Sequence, residues 1–133
     1  MSRWHVRDLI KKELATLGAI AEFIDTGNTT AKPTQIPWMT VEFYANSTLP
    51  ECYGGSHMRE EGTIELNVFT DAGTGEAAAF QAAEAVADHF KNWVQADIEI
   101  EKADPPADFG SGDSEGRYFG VIITFDYVYR YQL

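Results

Sequence analysis

Two side chains near the middle of the sequence have the chemistry of a nucleophile and its base. Cys52 is the one cysteine of the chain, and His57 lies five positions after it. A neighbouring imidazole favours the thiolate form of a cysteine, which is the reactive form. No predicted helix start or strand-to-helix turn holds the pair, so we interpret both residues as structural. A cysteine hydrolase or a small-molecule-binding domain stays as the minor alternative.

The remaining metal-ligating types do not show the spacing of a metal site. The histidines are scattered along the chain: His5, His57 and His89. Four carboxylates are grouped late in the sequence: Asp104, Asp108, Asp113 and Glu115. Carboxylate oxygens suit calcium, but this spacing differs from the helix-flanked calcium loop. We predict a solvated acidic loop and no metal site.

A phosphate site also needs consideration, because Asp71 to Glu76 follows a predicted strand and precedes a predicted helix. The start of a helix attracts anions. This segment lacks the lysine of a P-loop and the three glycines of a dinucleotide-binding turn, and Glu76 would repel an anion. We therefore predict a plain turn, no cofactor and no enzymatic activity.

Composition limits the partners of the chain. Its 133 residues carry a net charge of −11, and 44% of them are hydrophobic. Such a field disfavours binding to DNA or to an anionic membrane, although DNA can pass along an acidic wall without sticking. No apolar run is long enough to span a membrane, and the N-terminal segment lacks the pattern of a signal peptide. We expect a soluble protein that is made in a reducing cytoplasm.

Two amphipathic helices are predicted. Apolar residues recur every three or four positions from Val6 to Leu17, with Gly18 as the stop. The second and stronger helix runs from Glu76 to Val94. Its predicted apolar stripe consists of Phe80, Ala83, Val86, Ala87, Phe90 and Val94. The alanines would let this stripe approach a sheet closely.

Strict alternation predicts four strands: 38–44, 62–70, 97–102 and a last one of about 15 residues ending at the C-terminus. Residues 45–61 are predicted to project as an exposed, flexible arm, and residues 103–116 to form an exposed loop rich in Pro, Gly and Asp. So long a last strand is expected to outrun its sheet and to offer an unpaired, aromatic end to a neighbouring subunit. Residues 19–24 are ambiguous between helix and strand.

These elements give the predicted fold class, which is α+β: a mostly antiparallel sheet of about four to five strands packed against two helices in a single domain over residues 1–133. No catalytic, cofactor or metal residue is assigned. The side chains that we predict at interfaces with other subunits or partners are apolar or aromatic residues of the arm, the loop and the last strand: Tyr53, Met58, Phe109, Tyr127, Tyr129, Tyr131 and Leu133.

The order of elements in a chain this short and acidic resembles the tail terminator proteins of long-tailed bacteriophages. Three segments carry the resemblance, namely Pro37 to Tyr44, Glu61 to Phe69 with the following Gly-Thr-Gly75, and Tyr118 to Leu133. The resemblance spans nearly the whole chain, and it consists of hydrophobic patterns rather than of invariant chemical groups.

The resemblance implies a structural virion protein, assembled in the cytoplasm of a bacterial host. Family members form a six-subunit ring at the head-proximal end of the tail tube, stop its polymerisation and offer a docking surface to the neck of the head. The implied partners are therefore further copies of the chain, the tail tube protein and a neck connector protein, with DNA passing through the channel and no membrane. A head-completion or connector protein of the neck remains the nearest alternative.

Overall fold

The protein is described by a computed structural model that covers residues 3–25, 37–50, 57–71, 76–91, 93–95, 97–111 and 118–132. Two helices and seven strands follow one another along the chain. In order they are α1 (Arg3–Ala15), β1 (Glu22–Phe23), β2 (Trp38–Pro50), β3 (His57–Asp71), α2 (Glu76–Phe90), β4 (Val94–Gln95), β5 (Ile98–Ala103), β6 (Ala107–Ser111) and β7 (Tyr118–Gln132).

All seven strands belong to one sheet with the order β1-β2-β3-β7-β5-β4, and β6 pairs with β7 on the edge that β5 also uses. The β1–β2 pairing is parallel, and the other pairings are antiparallel. The α+β class is confirmed. The predicted sheet was too small and too uniform, because the short strands β1, β4 and β6 have no alternation for a sequence pattern to detect.

Both helices pack against one face of the sheet. The alternating residues of β3 and β7 point at them, so Ile64, Leu66, Val121 and Ile123 are fully buried, as the period-two pattern predicted. The opposite face has no helix among the described residues, and we call it the open face. Its side chains are half-buried and mostly polar, as in a sheet with one solvated side.

The alanines of α2 let this helix approach the sheet closely, as predicted. Ala79, Ala83 and Val86 are fully buried against the sheet, and the ring of Phe90 lies 5.4 Å from that of Phe125. The helix ends at Phe90 rather than at the predicted Val94, which lies in β4 and is 63% exposed. Placing Val94 on the buried stripe was therefore wrong. Its apolar spacing matched the helix, but Trp93 already closes that end, 5.5 Å from Phe90.

The last strand does not outrun its sheet. β3 and β7 pair from His57↔Gln132 to Asp71↔Tyr118, so each of the two 15-residue strands accompanies the other along its whole length. The second edge of β7 pairs with β5 and β6 between Phe119 and Tyr129, and residues 131–132 have no strand partner on that edge among the described residues. β7 is thus a central strand over most of its length, and the expectation that it outruns its sheet was wrong.

Two segments predicted as irregular also hold strands. β2 continues to Pro50 and β3 begins at His57, with a register shift between Ala45 and Ser47, so most of the predicted arm forms a two-stranded ladder, and its residues 51–56 lie outside the described residues. β6 lies within the predicted loop 103–116. Both stretches are polar and Gly- or Pro-containing, and they pair because a long neighbouring strand offers its edge.

Candidate functional site at the distal end of the sheet

The two longest strands of the sheet, β3 and β7, are much longer than α2, which packs on them. At about 3.3 Å per residue, the 15 residues of β3 or β7 span about 50 Å, whereas the 15 residues of α2 span about 22 Å. We call the part of the sheet past the β2 register shift the distal end. It contains residues 47–50 of β2, 57–61 of β3 and 128–132 of β7.

One buried contact fixes the base of the distal end. The hydroxyl of Tyr127 donates a 2.8 Å hydrogen bond to Oε2 of Glu60, and the two residues are 2% and 1% exposed. The ring of Tyr127 reaches Glu60 by lying across Gly62, its partner on β3. A Cβ on Gly62 would come within 2.5 Å of the ring and 2.5 Å of the Tyr44 carbonyl oxygen. Only glycine leaves room for this contact.

Aromatic side chains continue the buried face toward the end of β7. The rings of Tyr129 and Tyr131 are stacked at 5.2 Å, and His5 of α1 lies 5.6 Å from Tyr129 on its other side. Burial, together with the negative charges of Asp97 and Glu60, raises the pKa of Tyr129, so its hydroxyl stays protonated at neutral pH. Tyr131 is only half-buried, so a partner can reach part of its ring.

On the open face of the distal end, the guanidinium of Arg59 links two strands. Arg59 of β3 lies 2.8 Å from Oε1 of Glu61 and 3.3 Å from Oε1 of Glu101 on β5. β7 lies between β3 and β5, so Arg59 spans a strand. Glu101 falls at the register shift in β5, which directs its carboxylate toward Arg59. The contact links β3 to β5 across β7.

Carboxylates dominate the centre of the open face. Glu42 of β2 is directly opposite Glu65 of β3, and Thr63 donates a 3.3 Å hydrogen bond to Oδ1 of Asp126 on β7. The hydroxyl of Tyr44 donates to Glu42, and this hydrogen bond raises the pKa of Tyr44 to about 12. Like charges directly across a ladder are unfavourable, so the tyrosine hydroxyl relieves part of the repulsion.

Comparison with known proteins decides the family. A sequence model of the phage tail terminator protein family matches residues 5–123. The chain belongs to the phage tail terminator family. The match runs from α1 into β7 and includes β2 and β3 in full, so the β2 and β3 parts of the distal end lie within the matched region and residues 128–132 of β7 lie beyond it. Membership implies a structural, non-enzymatic component of a virion tail.

Solved structures agree with this assignment at the level of the fold. In total, 21 chains of solved structures match this protein. One superposes on 100% of this chain and 99% of its own with a TM-score of 0.72, at 18% sequence identity. At that identity the likeness shows the fold alone. No curated protein matches the sequence.

The residues predicted at interfaces differ in how much of their side chains a partner can reach. Met58 and Tyr131 are cross-strand partners at the distal end, and both are half-buried. Tyr127 and Tyr129 lie on the same strand face but are buried within the chain, so their side chains offer almost no area to a partner. Phe109 lies on β6, whereas Tyr53 and Leu133 lie outside the described residues.

The predicted chemical groups that the structure describes are not brought into one place. His57 is exposed at the start of β3, while Cys52 lies outside the described residues, as do Asp113 and Glu115. His5 contacts Tyr129, and Nε2 of His89 lies 3.3 Å from Oε2 of Glu13. Among the described residues no group of three metal-ligating side chains is found, and no described helix is long and apolar enough to cross a membrane.

Sequence reasoning missed the residues that organise the distal end, namely Leu49, Arg59, Glu60, Gly62 and Glu101. Leu49 is a large apolar side chain near the tip of β2, where it is 52% exposed and lies opposite Arg59 of β3. One signal was available for Gly62. A glycine inside an alternating strand marks a bulge or a close approach of another group, and Tyr127 makes that approach.

Proposed function

We propose that this protein forms a ring that caps the head-proximal end of the tail tube. The family resemblance implies six copies in the ring. The ring stops polymerisation of the tube and offers the docking surface for the neck of the head. The observation that carries the proposal is the match to the tail terminator family over residues 5–123. The proposed partners are further copies of this chain, the tail tube protein and a neck connector protein.

The distal end supports an assembly role. The outer edge of β2 pairs with β1 only at Trp38 and Met39, so within the described residues its edge from Thr40 to Pro50 has no strand partner. An edge of this length is a template for strand addition by another chain. Leu49 and Tyr131 add exposed apolar area at the same end. We assign this end to contacts with the tube or with neighbouring subunits.

The open face supports passage of DNA through the ring. Glu42, Glu65 and Asp126 lie on three adjacent strands, on a face that carries no helix among the described residues. A carboxylate-rich face repels the phosphates of DNA, so DNA that passes such a wall is not retained. In a ring with this face toward the channel, the net charge of −11 repels DNA, so the DNA passes through without binding.

The test is deletion of the gene from the phage, with tail lengths measured by electron microscopy of the lysate. Overlong tubes without heads are expected, and a plasmid copy of the gene should restore normal tails. Tails of normal length that fail to join heads would instead assign the protein to the neck as a connector. Normal virions would refute an assembly role and revive the small-molecule alternative.

A further inference from the structure

Two grooves lie at opposite ends of the strand order. The first, the α1 groove, has a volume of about 460 Å³ and runs between α1 and β1, the terminal strand on one side of the sheet. The second, the α2 groove, has about 260 Å³ and runs between α2 and the segment that follows β5 on the other side. The two helices are neighbours on the same face, as the contact between Glu13 and His89 shows.

The α1 groove is basic in a strongly acidic chain. Its walls carry three cations, Arg7, Lys11 and Lys12, against the two carboxylates of Asp8 and Asp25. Lys11 is paired with Asp25 at 2.9 Å, so the excess is one positive charge, supplied by Arg7 and Lys12. This excess is unusual because only 10 of the 133 residues are Lys or Arg, against 21 Asp or Glu. The side chain of Lys12 is 72% exposed, and its one contact among the described residues is an exposed salt bridge to Asp8, which contributes little and can be exchanged.

The α1 groove also carries an aromatic anchor. Trp4 lines it and is 62% exposed, which makes it the largest apolar side chain at the surface of the described residues. Nearby, the guanidinium of Arg7 lies 5.0 Å from the centre of the Phe43 ring. Exposed tryptophan beside arginine is the composition typical of energetically dominant interface residues.

The α2 groove has the complementary character. Its lining carries three carboxylates, those of Glu84, Asp88 and Asp104, and the cation of Lys91. Asp104 is paired with Lys102 at 3.4 Å, so the negative charge offered to a partner comes mainly from Glu84 and Asp88. Pro105 and Pro106 form its other wall, and Pro105 is exposed. A tryptophan ring packs well on the flat, apolar face of a proline. The groove therefore offers both a negative charge for Lys12 and an apolar seat for Trp4.

We infer that the α1 groove of one copy binds the α2 groove of the next copy. The inference rests on the proposed assembly into a ring and names the contact that builds it. The occupant of each groove is a second copy of this chain, because opposite charge and matching apolar groups are carried by the same molecule at opposite ends of its sheet. Joining unlike surfaces makes the contact head-to-tail, which is the type that generates rings.

Paired variants test this contact. The double variant Trp4→Ala with Lys12→Glu disables the α1 groove, and Glu84→Lys with Asp88→Lys disables the α2 groove. Each is expected to weaken self-association by roughly tenfold or more, measured by sedimentation velocity. Glu76→Lys is the matched control, since this glutamate of α2 is exposed, lies outside both grooves and undergoes the same charge change as Glu84→Lys. The control should assemble like the unaltered chain.

Mixing the two disabled variants gives the decisive result. One retains a working α2 groove and the other a working α1 groove, so they should form a heterodimer and nothing larger. In a Cys52→Ser background, Ala15→Cys in one copy and Lys91→Cys in another should form a mixed disulfide, while Ala77→Cys replaces Lys91→Cys as the control.

A yield no greater than the control, or cross-linking of Ala15→Cys with itself, would overturn the head-to-tail contact. The proposed ring is judged separately. If the unaltered chain self-associates while the disulfide is missing, the ring stands and this contact is wrong. If the unaltered chain stays monomeric both alone and on tail tubes, both proposals fail.

Discussion

Replacing Gly62 with alanine is the sharpest test of how the distal end is held. The new Cβ would lie 2.5 Å from Cε1 of Tyr127 and 2.5 Å from the carbonyl oxygen of Tyr44. The carbonyl belongs to the paired backbone of β2 and cannot yield without breaking the ladder. The tyrosine ring must therefore move, and its hydrogen bond to Glu60 is lost.

The expected cost has two parts. Forcing one extra carbon into a filled site typically costs about 1–3 kcal/mol. Losing the bond that a buried carboxylate accepts from Tyr127 costs about 1–3 kcal/mol more. We therefore expect a combined loss of about 3 kcal/mol in the free energy of unfolding. For a domain of this size that loss corresponds to a fall in Tm of roughly 10 °C.

Gly18→Ala is the matched control, because nothing lies within 4 Å of the position that its Cβ would occupy. That variant should be neutral or stabilised by about 0.4–1 kcal/mol, since alanine restricts the unfolded chain. Both variants would be compared with the unaltered chain by urea titration, followed by circular dichroism at a concentration that keeps the chain monomeric. Equal unfolding free energies for the two alanine variants would refute the account of Gly62 as a close-approach position.

Three further changes test neighbouring contacts. Tyr127→Phe keeps the ring over Gly62 but removes the donor to Glu60, so urea denaturation should show a loss of about 1–3 kcal/mol, and no loss would mean that the buried bond contributes nothing. Glu42→Gln should lower the pKa of Tyr44 from about 12 toward 10.0, measured as the difference in tyrosinate absorbance between matched chains with and without Tyr44→Phe. The raised pKa means that the hydrogen bond stabilises the fold below pH 10 and that this contribution disappears as pH rises through about 12; an unchanged titration would contradict it. Leu49→Asp should reduce the yield of tails of normal length in the complemented deletion phage while leaving Tm unchanged, with Gln81→Asp, exposed on α2 and outside the distal end, as the control.

The parts of the fold that the sequence predicts well are those that bury one face. The stripe of α2 and the alternation of β3 and β7 are visible because apolar residues must point at the core, and the structure buries Val86, Leu66 and Ile123 as expected. These patterns carry their own period. A helix or strand with a buried face can therefore be read without knowing its neighbours.

The parts that the sequence did not predict depend on a neighbour. β6 and the distal parts of β2 and β3 are polar, and they become strands because β7 or β3 offers an unfilled edge beside them. Tyr127 and Tyr129 were predicted at an interface for a related reason. An alternating aromatic run looks the same whether its partner is another subunit or the chain's own α1 and β5, and only the three-dimensional arrangement distinguishes the two.

The relative placement of the two proposed grooves decides what a head-to-tail contact would build. Repeating such a contact applies one rotation again and again, and the result is a closed ring when the rotation closes and an open filament when it does not. On this chain the rotation depends on how α1 sits relative to α2, which is set by a shared core and by the contact between Glu13 and His89. Close-packed cores do not deform continuously, so this angle is fixed before two copies meet. The number of subunits would then be encoded in the packing of a single chain, and substitutions between the helices, far from either groove, should alter the size of the assembly rather than its affinity.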